Sequence, residues 1–222
     1  LPLFRALTEL GAQAVPAVYH DDFVGDVREQ LLKVDGVLVW RNPIEEGLDR
    51  RVLDEMLREV SDAGVYVSAH PDVILALGTK QILVDTRHLG WGCDTHVYRT
   101  LDAMRRELPP RLARGQARVL KQYRGQSGEG VWKVQGDVGG GLRVRLAKRG
   151  VEEERLTLDA FLECCAPYFE GDGRIIDQIY QERLAEGMVR CYLVHDRVEG
   201  LGLQAINALH PETNQPGPRL YH

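Results

Sequence analysis

The sequence has no apolar run approaching the roughly 18–20 residues that a membrane-crossing helix needs, and its first residues show no basic-then-apolar leader of a secretory signal. Neither a membrane nor an export role is therefore expected. Cysteine is sparse: Cys93, Cys164, Cys165 and Cys191 are the only four. None falls in a Cys-x-x-Cys pair, and no His/Cys group has zinc-finger spacing, which excludes a disulfide framework and a zinc module. A reduced, cytoplasmic compartment is the expectation. Aromatic residues make up only 7% of the chain and show no stacking pattern, and the net charge is −5. Both speak against an RNA- or DNA-binding protein, which would carry a basic surface or aromatic platforms for bases. Hydrophobic residues at 44% and charged residues at 27% match an ordinary globular protein. With 222 residues there is room for one large domain or two small ones.

Charge is unevenly placed. Residues 105–149 hold twelve Lys or Arg against three acids, Glu107, Glu129 and Asp137. A basic block within an acidic chain marks either a local anion site or a solvated face.

Periodicity divides the chain in two. The first part predicts alternating strands and helices: a helix over Pro2 to Leu10 closed by Gly11, a strand over Ala14 to Tyr19, and a helix over Asp26 to Val34. A buried strand over Gly36 to Trp40, a helix over Asp49 to Ala63 and a strand over Val65 to Ser68 follow. This β-α-β-α-β order predicts a parallel, Rossmann-like sheet. Residues 71–116 read as a helical connection, with short helices over Asp72 to Leu77 and Lys80 to Leu89. A longer helix is expected from a cap at Asp94 or Thr95 to about Leu108, where Pro109-Pro110 would stop it. From residue 117 the pattern is α+β with antiparallel hairpins. Strands are expected at Val119–Tyr123, Val131–Gln135, Leu142–Ala147, Ile175–Tyr180, Val189–Val194 and Leu201–Asn207, with one helix at Thr157–Phe169. The first helix has no strand feeding it and the last residues follow a Pro/Gly turn, so a chain truncated at both ends is expected.

The most informative stretch runs from Val119 to Val134. It reads as strand, glycine loop, strand, with Lys121 before the loop and Arg124 at its start. Glycines let the backbone approach a ligand closely, and successive N–H groups in such a loop can hold a polyphosphate whose countercharge Lys121 and Arg124 supply. The loop lacks the Lys-Ser/Thr pair of the common nucleotide-triphosphate loop and opens no helix, so it is neither that motif nor a dinucleotide fingerprint. Taken alone, it could equally be a simple hairpin turn.

This segment resembles the lid hairpin of the ATP-grasp superfamily, to which biotin carboxylase and D-alanine–D-alanine ligase belong. Three further segments follow the family's order. Gly78-Thr79-Lys80 followed by Leu89-Gly90-Trp91-Gly92 is similar to its lysine-headed helix. The run Ile175 to Tyr180 is similar to its adenine-reading hinge strand, with Gln178 where members often have Glu. Glu186 to Val194 is similar to a strand with an inward arginine, Arg190. The run from His70 to Val134 more closely resembles a little-characterised bacterial group of ATP-grasp proteins.

The resemblance implies a fold and a set of site residues. Residues 1–70 would be a Rossmann-like pre-ATP-grasp domain lacking its first strand, and 117–222 the ATP-grasp lid with part of the nucleotide-binding core. Lys80, Lys121, Arg124, Gly125, Gln126, Ser127, Gly128, Gly130 and Val131 would hold the phosphates. Asp177, Gln178, Ile179 and Tyr180 would hold the adenine through backbone groups, and Lys121 and Arg190 would act in catalysis.

It also implies ATP and Mg²⁺ as cofactors, and an unknown small carboxylate or amine as substrate. The reaction would be a carboxylate–amine or carboxylate–thiol ligation through an acyl phosphate. The alternative is a nucleotide-binding protein or kinase-like ATP user without ligase activity. Glu212-Thr213-Asn214 has the spacing of the family's metal motif but lies between Pro211 and Pro216, where a loop is expected, so the metal ligands are expected beyond His222. A homodimer is compatible with this reading. The scattered histidines, the Cys164-Cys165 pair and Trp40, Trp91 and Trp132 read as structural or surface residues.

Overall fold

The computed structural model describes residues 2–41, 44–45, 48–90, 92–124, 128–148, 150–206 and 209. The chain forms two compact units, Leu1–Ala76 and Leu77–His222.

In the first unit, α1 (Pro2–Glu9) ends at Gly11. A 3-10 turn at Asp21–Phe23, capped by the His20 ring, leads into α2 (Val24–Leu31) and β1 (Gly36–Leu38). A two-residue-strand hairpin of β2 (Ile44–Glu45) and β3 (Leu48–Asp49) precedes α3 (Arg51–Asp62) and β4 (Tyr66–Ser68). Leu53, Met56, Leu57 and Val60 recur at helical spacing along α3 and are buried against Val27 and Leu31 of α2 and Val65 and Val67 near β4. β1 and β4 pair in parallel, Gly36 opposite Tyr66 through Leu38 opposite Ser68. The expected Rossmann-like sheet needs correction, because this sheet has two strands among the described residues. Ala14 to Tyr19 is not a strand. Pro16 has no N–H to give a ladder, and Gln30 Nε2 donates to its carbonyl at 3.2 Å, holding the segment as a loop.

The second unit follows α4 (Pro71–Leu77) with α5 (Ile82–Asp85), β5 (Thr95–Tyr98), α6 (Leu101–Leu112), β6 (Arg118–Gln122), β7 (Val131–Gly136) and β8 (Leu142–Leu146). Then come β9 (Glu154–Leu156), α7 (Leu158–Cys165), β10 (Ile175–Ile179), β11 (Met188–Val194) and β12 (Arg197–Gln204). Six strands form one antiparallel sheet in the order β5-β10-β6-β7-β8-β9. One face is covered by α6 and α7. Met104, Leu108 and Leu112 pack with Phe161, Leu162 and Cys165 onto Tyr98, Leu120, Val134, Leu142, Val144 and Ile175. β11 and β12 form a separate hairpin, and β11 is exposed along its length.

Two expectations fail around residue 100. Thr95 to Tyr98 is a strand of the large sheet rather than the start of a helix, because Thr95 and Tyr98 bury their side chains on its two faces. The helix begins after Thr100 and runs through Pro109 and Pro110. Each proline removes one backbone donor, but Leu108 and Leu112 are buried on either side of the pair, and that burial holds the last turn in place. The Thr100 hydroxyl accepts from the Ala103 N–H at 3.1 Å. Thr100→Ala should lower stability by about 1 kcal/mol in a urea titration, as loss of such a cap does.

Candidate functional site

In an antiparallel pair, residues directly opposite share a face. Thr95 lies opposite Gln178, Ile176 opposite Lys121, Val119 opposite Lys133, and Lys133 opposite Arg145. All of these project from the face of the sheet that α6 and α7 do not cover. Three strands distant in sequence, β5, β10 and β6, thus bring Thr95, Gln178 and Lys121 together on one face of the sheet.

The contacts are specific. Lys121 Nζ donates to Gln178 Oε1 at 2.6 Å. Gln178 Nε2 donates to Thr95 Oγ1 at 3.2 Å and to Cys93 Sγ at 3.4 Å. Lys80 lies within electrostatic reach of Lys121. Burial first, then the like charge of Lys121, brings its amine down to about 8. Burial lowers Lys121 as well. Two partly desolvated ammonium groups within electrostatic reach repel each other, and an anion placed near both would relieve that repulsion.

The loop between β6 and β7 is built on glycine where glycine is needed. Gly128 has φ +80°, and a Cβ there would stand 2.4 Å from the Ala147 carbonyl oxygen. The loop base is closed by Gln122 N–H to Gly130 O at 2.8 Å and by Gln122 Nε2 to Glu129 O at 3.0 Å. Arg124 is half-buried just beyond β6, and Val131 opens β7 opposite Lys121. Gly125, Gln126 and Ser127, together with Trp91, lie outside the described residues.

Beyond Ile179 the same unit holds a cleft of ≈ 500 Å³, lined by Ala117, Lys133, Gln135, Ile179, Tyr180 and Gln181 to Arg183. Lys133 Nζ sits 4.1 Å from the centre of the Tyr180 ring. Buried Val119 and Ala147, with Val131, Tyr180 and Leu184 packed on them, form an apolar patch beside it.

The hinge residues divide between two environments. β10 is an interior strand, so Asp177 and Gln178 stand between hydrogen-bonded neighbours on both sides. The Ile179 N–H donates to Asp94 O at 3.0 Å and the Tyr180 N–H to Ala117 O at 2.9 Å. Asp177 faces α6 and is fully buried. Its carboxylate accepts from Arg118 Nε at 2.6 Å and from the Tyr98 hydroxyl at 2.5 Å. Arg111 donates to the Tyr98 oxygen at 2.8 Å, and Arg118 reaches Asp94 at 2.5 Å. Burial and the Asp177 charge push the Tyr98 phenol up, so it keeps its proton and remains a donor. Arg190 lies exposed on β11 with its Nε donating to Gln204 of β12.

Among the described residues, no group of three or more His, Cys, Asp and Glu is arranged to hold a metal ion. Glu212, Thr213 and Asn214 lie outside them. No helix among the described residues is long and apolar enough to cross a membrane.

Thr95, Lys133 and the cleft residues Gln181 to Arg183 were not expected from the sequence. The alternation Val131, Lys133, Gln135 would have placed Lys133 on the Lys121 face. Nothing local marks Thr95 or the cleft residues.

With this geometry in hand, a solved structure supplies the comparison. The crystal structure of D-cycloserine synthetase DcsG superposes on 85% of this chain with a TM-score of 0.56 and 15% sequence identity. The two chains share a fold. At that identity the similarity is one of fold, and this chain spans 56% of the length of that structure. No protein-family model and no curated protein matches the sequence.

Proposed function

We propose that this chain binds ATP on the lysine face of its six-stranded sheet and forms part of an ATP-dependent ligase. The observation that carries the reading is the half-buried Lys121, held by Gln178 on the strand that leads into the glycine loop, with the half-buried Lys80 within electrostatic reach of it. The similarity in fold to a synthetase supports the same direction.

In this reading Lys80, Lys121 and Arg124 meet the phosphates, and the loop from Gly125 through Gln126, Ser127 and Gly128 to Gly130 folds over them. Val131 and its apolar neighbours form the wall below. The adenine enters the cleft at Ile179 and Tyr180, which Lys133, Gln135 and Gln181 also line. Asp177 serves by holding β10 in register, and Arg190 is a further phosphate contact.

The substrate class is a small carboxylate with an amine or thiol acceptor. A carboxylate oxygen attacks the γ-phosphorus, the bond to the β-γ bridging oxygen breaks, and ADP leaves with that electron pair. The acceptor then attacks the acyl carbon, inorganic phosphate leaves, and the acceptor's proton passes to solvent. Cations fixed before the reaction stabilise charge as it develops on the transferring group, with no reorganisation at that moment. Lys121 and Lys80 would supply this to the β- and γ-phosphates. A ligase of this kind also uses Mg²⁺, which adds charge neutralisation when bound. The described residues offer no cluster for it, so no step is assigned to it.

Calorimetric titration of the chain with ATP tests the first half of the proposal, with binding in the micromolar to millimolar range expected. Absence of heat up to several millimolar would end the reading. The second half is tested by ADP release against a panel of small carboxylates with and without amines, where release should require both substrates.

A further inference from the structure

We propose that Gln178 is a positioning residue that aims Lys121 at a polyanionic ligand and, being an amide, leaves the positive charge of Lys121 available to that ligand. The inference rests on the nucleotide-site reading above and assigns a role to one side chain within it.

An amide can present oxygen or nitrogen to a neighbour, and here its orientation is decided. Thr95 Oγ1 donates its proton to the Cys93 carbonyl at 2.8 Å. The Thr95 oxygen can then only accept from Gln178, which it does at 3.2 Å. The second Nε2 proton points to Cys93 Sγ at 3.4 Å. With both amide protons engaged, Oε1 faces Lys121 and takes its ammonium at 2.6 Å. The Gln178 side chain is itself 9% exposed, so water competes little for these bonds.

The choice of an amide also has an electrostatic consequence. A carboxylate at this position would reach Lys121 equally well and would form an ion pair with it. The charge of Lys121 would then be neutralised within the protein, and an incoming phosphate would compete with the resident carboxylate. The neutral clamp holds the same geometry with no such competitor.

Two variants separate geometry from charge. Gln178→Glu keeps the shape and adds a negative charge, and Gln178→Met keeps the length and removes the clamp without adding charge. ATP binding is measured from pH 7.5 to 9.5, where the triphosphate is almost wholly ionised. In parallel, the lysine side-chain resonances of the ligand-free chain are titrated by NMR. Q178E should weaken ATP binding at pH 7.5 on the order of tenfold and move the titration of Lys80 to higher pH. Q178M should weaken binding less and leave that titration close to its wild-type position. If Q178E binds ATP as tightly as the wild type, or if its Lys80 titration stays in place, the proposal is overturned. If the wild type itself binds no ATP, the nucleotide reading falls. The NMR titration then still decides whether Gln178 governs the charge of the pair. Circular dichroism of each variant against the wild type shows whether it is folded, and a Q178E chain that does not fold leaves the decision to Q178M, whose unaltered ATP affinity would overturn the clamp.

Discussion

Lys121→Met should weaken ATP binding by a factor of about 10 to 150. This corresponds to the roughly 1.5–3 kcal/mol that a hydrogen bond to a charged group contributes. Methionine keeps the length and apolar stem of the side chain, so the loss isolates the charge. A second effect distinguishes this from general damage. Lys121 is one of the two causes that bring the Lys80 amine down to about 8. Removing it should move the Lys80 titration upward. In the wild type the ammonium form of Lys80 predominates below about pH 8, so ATP affinity should fall as pH rises through that value. Binding should also take up protons near pH 8, because the phosphates favour the charged amine. Calorimetry in buffers of different ionisation enthalpy reads that uptake. The linkage to stability has the opposite sense. An unfolded lysine near 10.5 binds more protons than the folded one between pH 8 and 10.5, so the ligand-free chain should gain stability across that window. Unchanged ATP affinity in Lys121→Met would remove this lysine from the site.

Asp177→Ala should cost roughly 3–5 kcal/mol, the usual penalty for leaving one member of a buried ion pair without its partner. Its partner Arg118 is 2% exposed and Asp177 is 0% exposed. The change also strips an acceptor from the Tyr98 hydroxyl. Against a total stability of roughly 5–15 kcal/mol for a domain, this is a large share of the whole. Asp177→Asn should cost less, since an amide oxygen still accepts from Arg118. Urea midpoints of both variants check the order, and a loss below about 1 kcal/mol for alanine would show that Asp94 alone satisfies Arg118.

The proposed site could be read from the sequence in part because its residues lie in local patterns. Lys121, the glycines after it and the strand around Gln178 are short-range patterns, and the register explains why they meet. The α3 face was legible for the same reason, since Leu53, Met56, Leu57 and Val60 repeat within one element. What was not legible depends on partners distant in sequence. Thr95 to Tyr98 reads as a helix start because capping residues precede an apolar run, and only pairing with β10 makes it a strand. Pro109 and Pro110 read as a stop because their lost donors are local, whereas the packing of Leu108 and Leu112 against α7 and the sheet is not. The Rossmann-like sheet was over-read for the converse reason. An apolar segment suggested a strand, but Pro16 left it without a ladder.

β10 enters the sheet between β5 and β6, and this has a consequence for the order in which the molecule comes into being. The meander β6-β7-β8-β9 joins neighbours close in sequence and can form early. The pairs that hold β10 in place span much longer stretches of chain: 57 residues from Lys121 to Gln178 on the face of the proposed anion site, and 79 from Tyr98 to Asp177 on the face that α6 and α7 cover. Closing such loops is slow compared with zipping a hairpin. During synthesis, the lysine of β6 is therefore extruded long before the residue that aims it. The glycine hairpin can exist as structure before it can exist as a site. If the site binds a polyanion as proposed, that competence arrives in one step, when β10 enters the gap between β5 and β6.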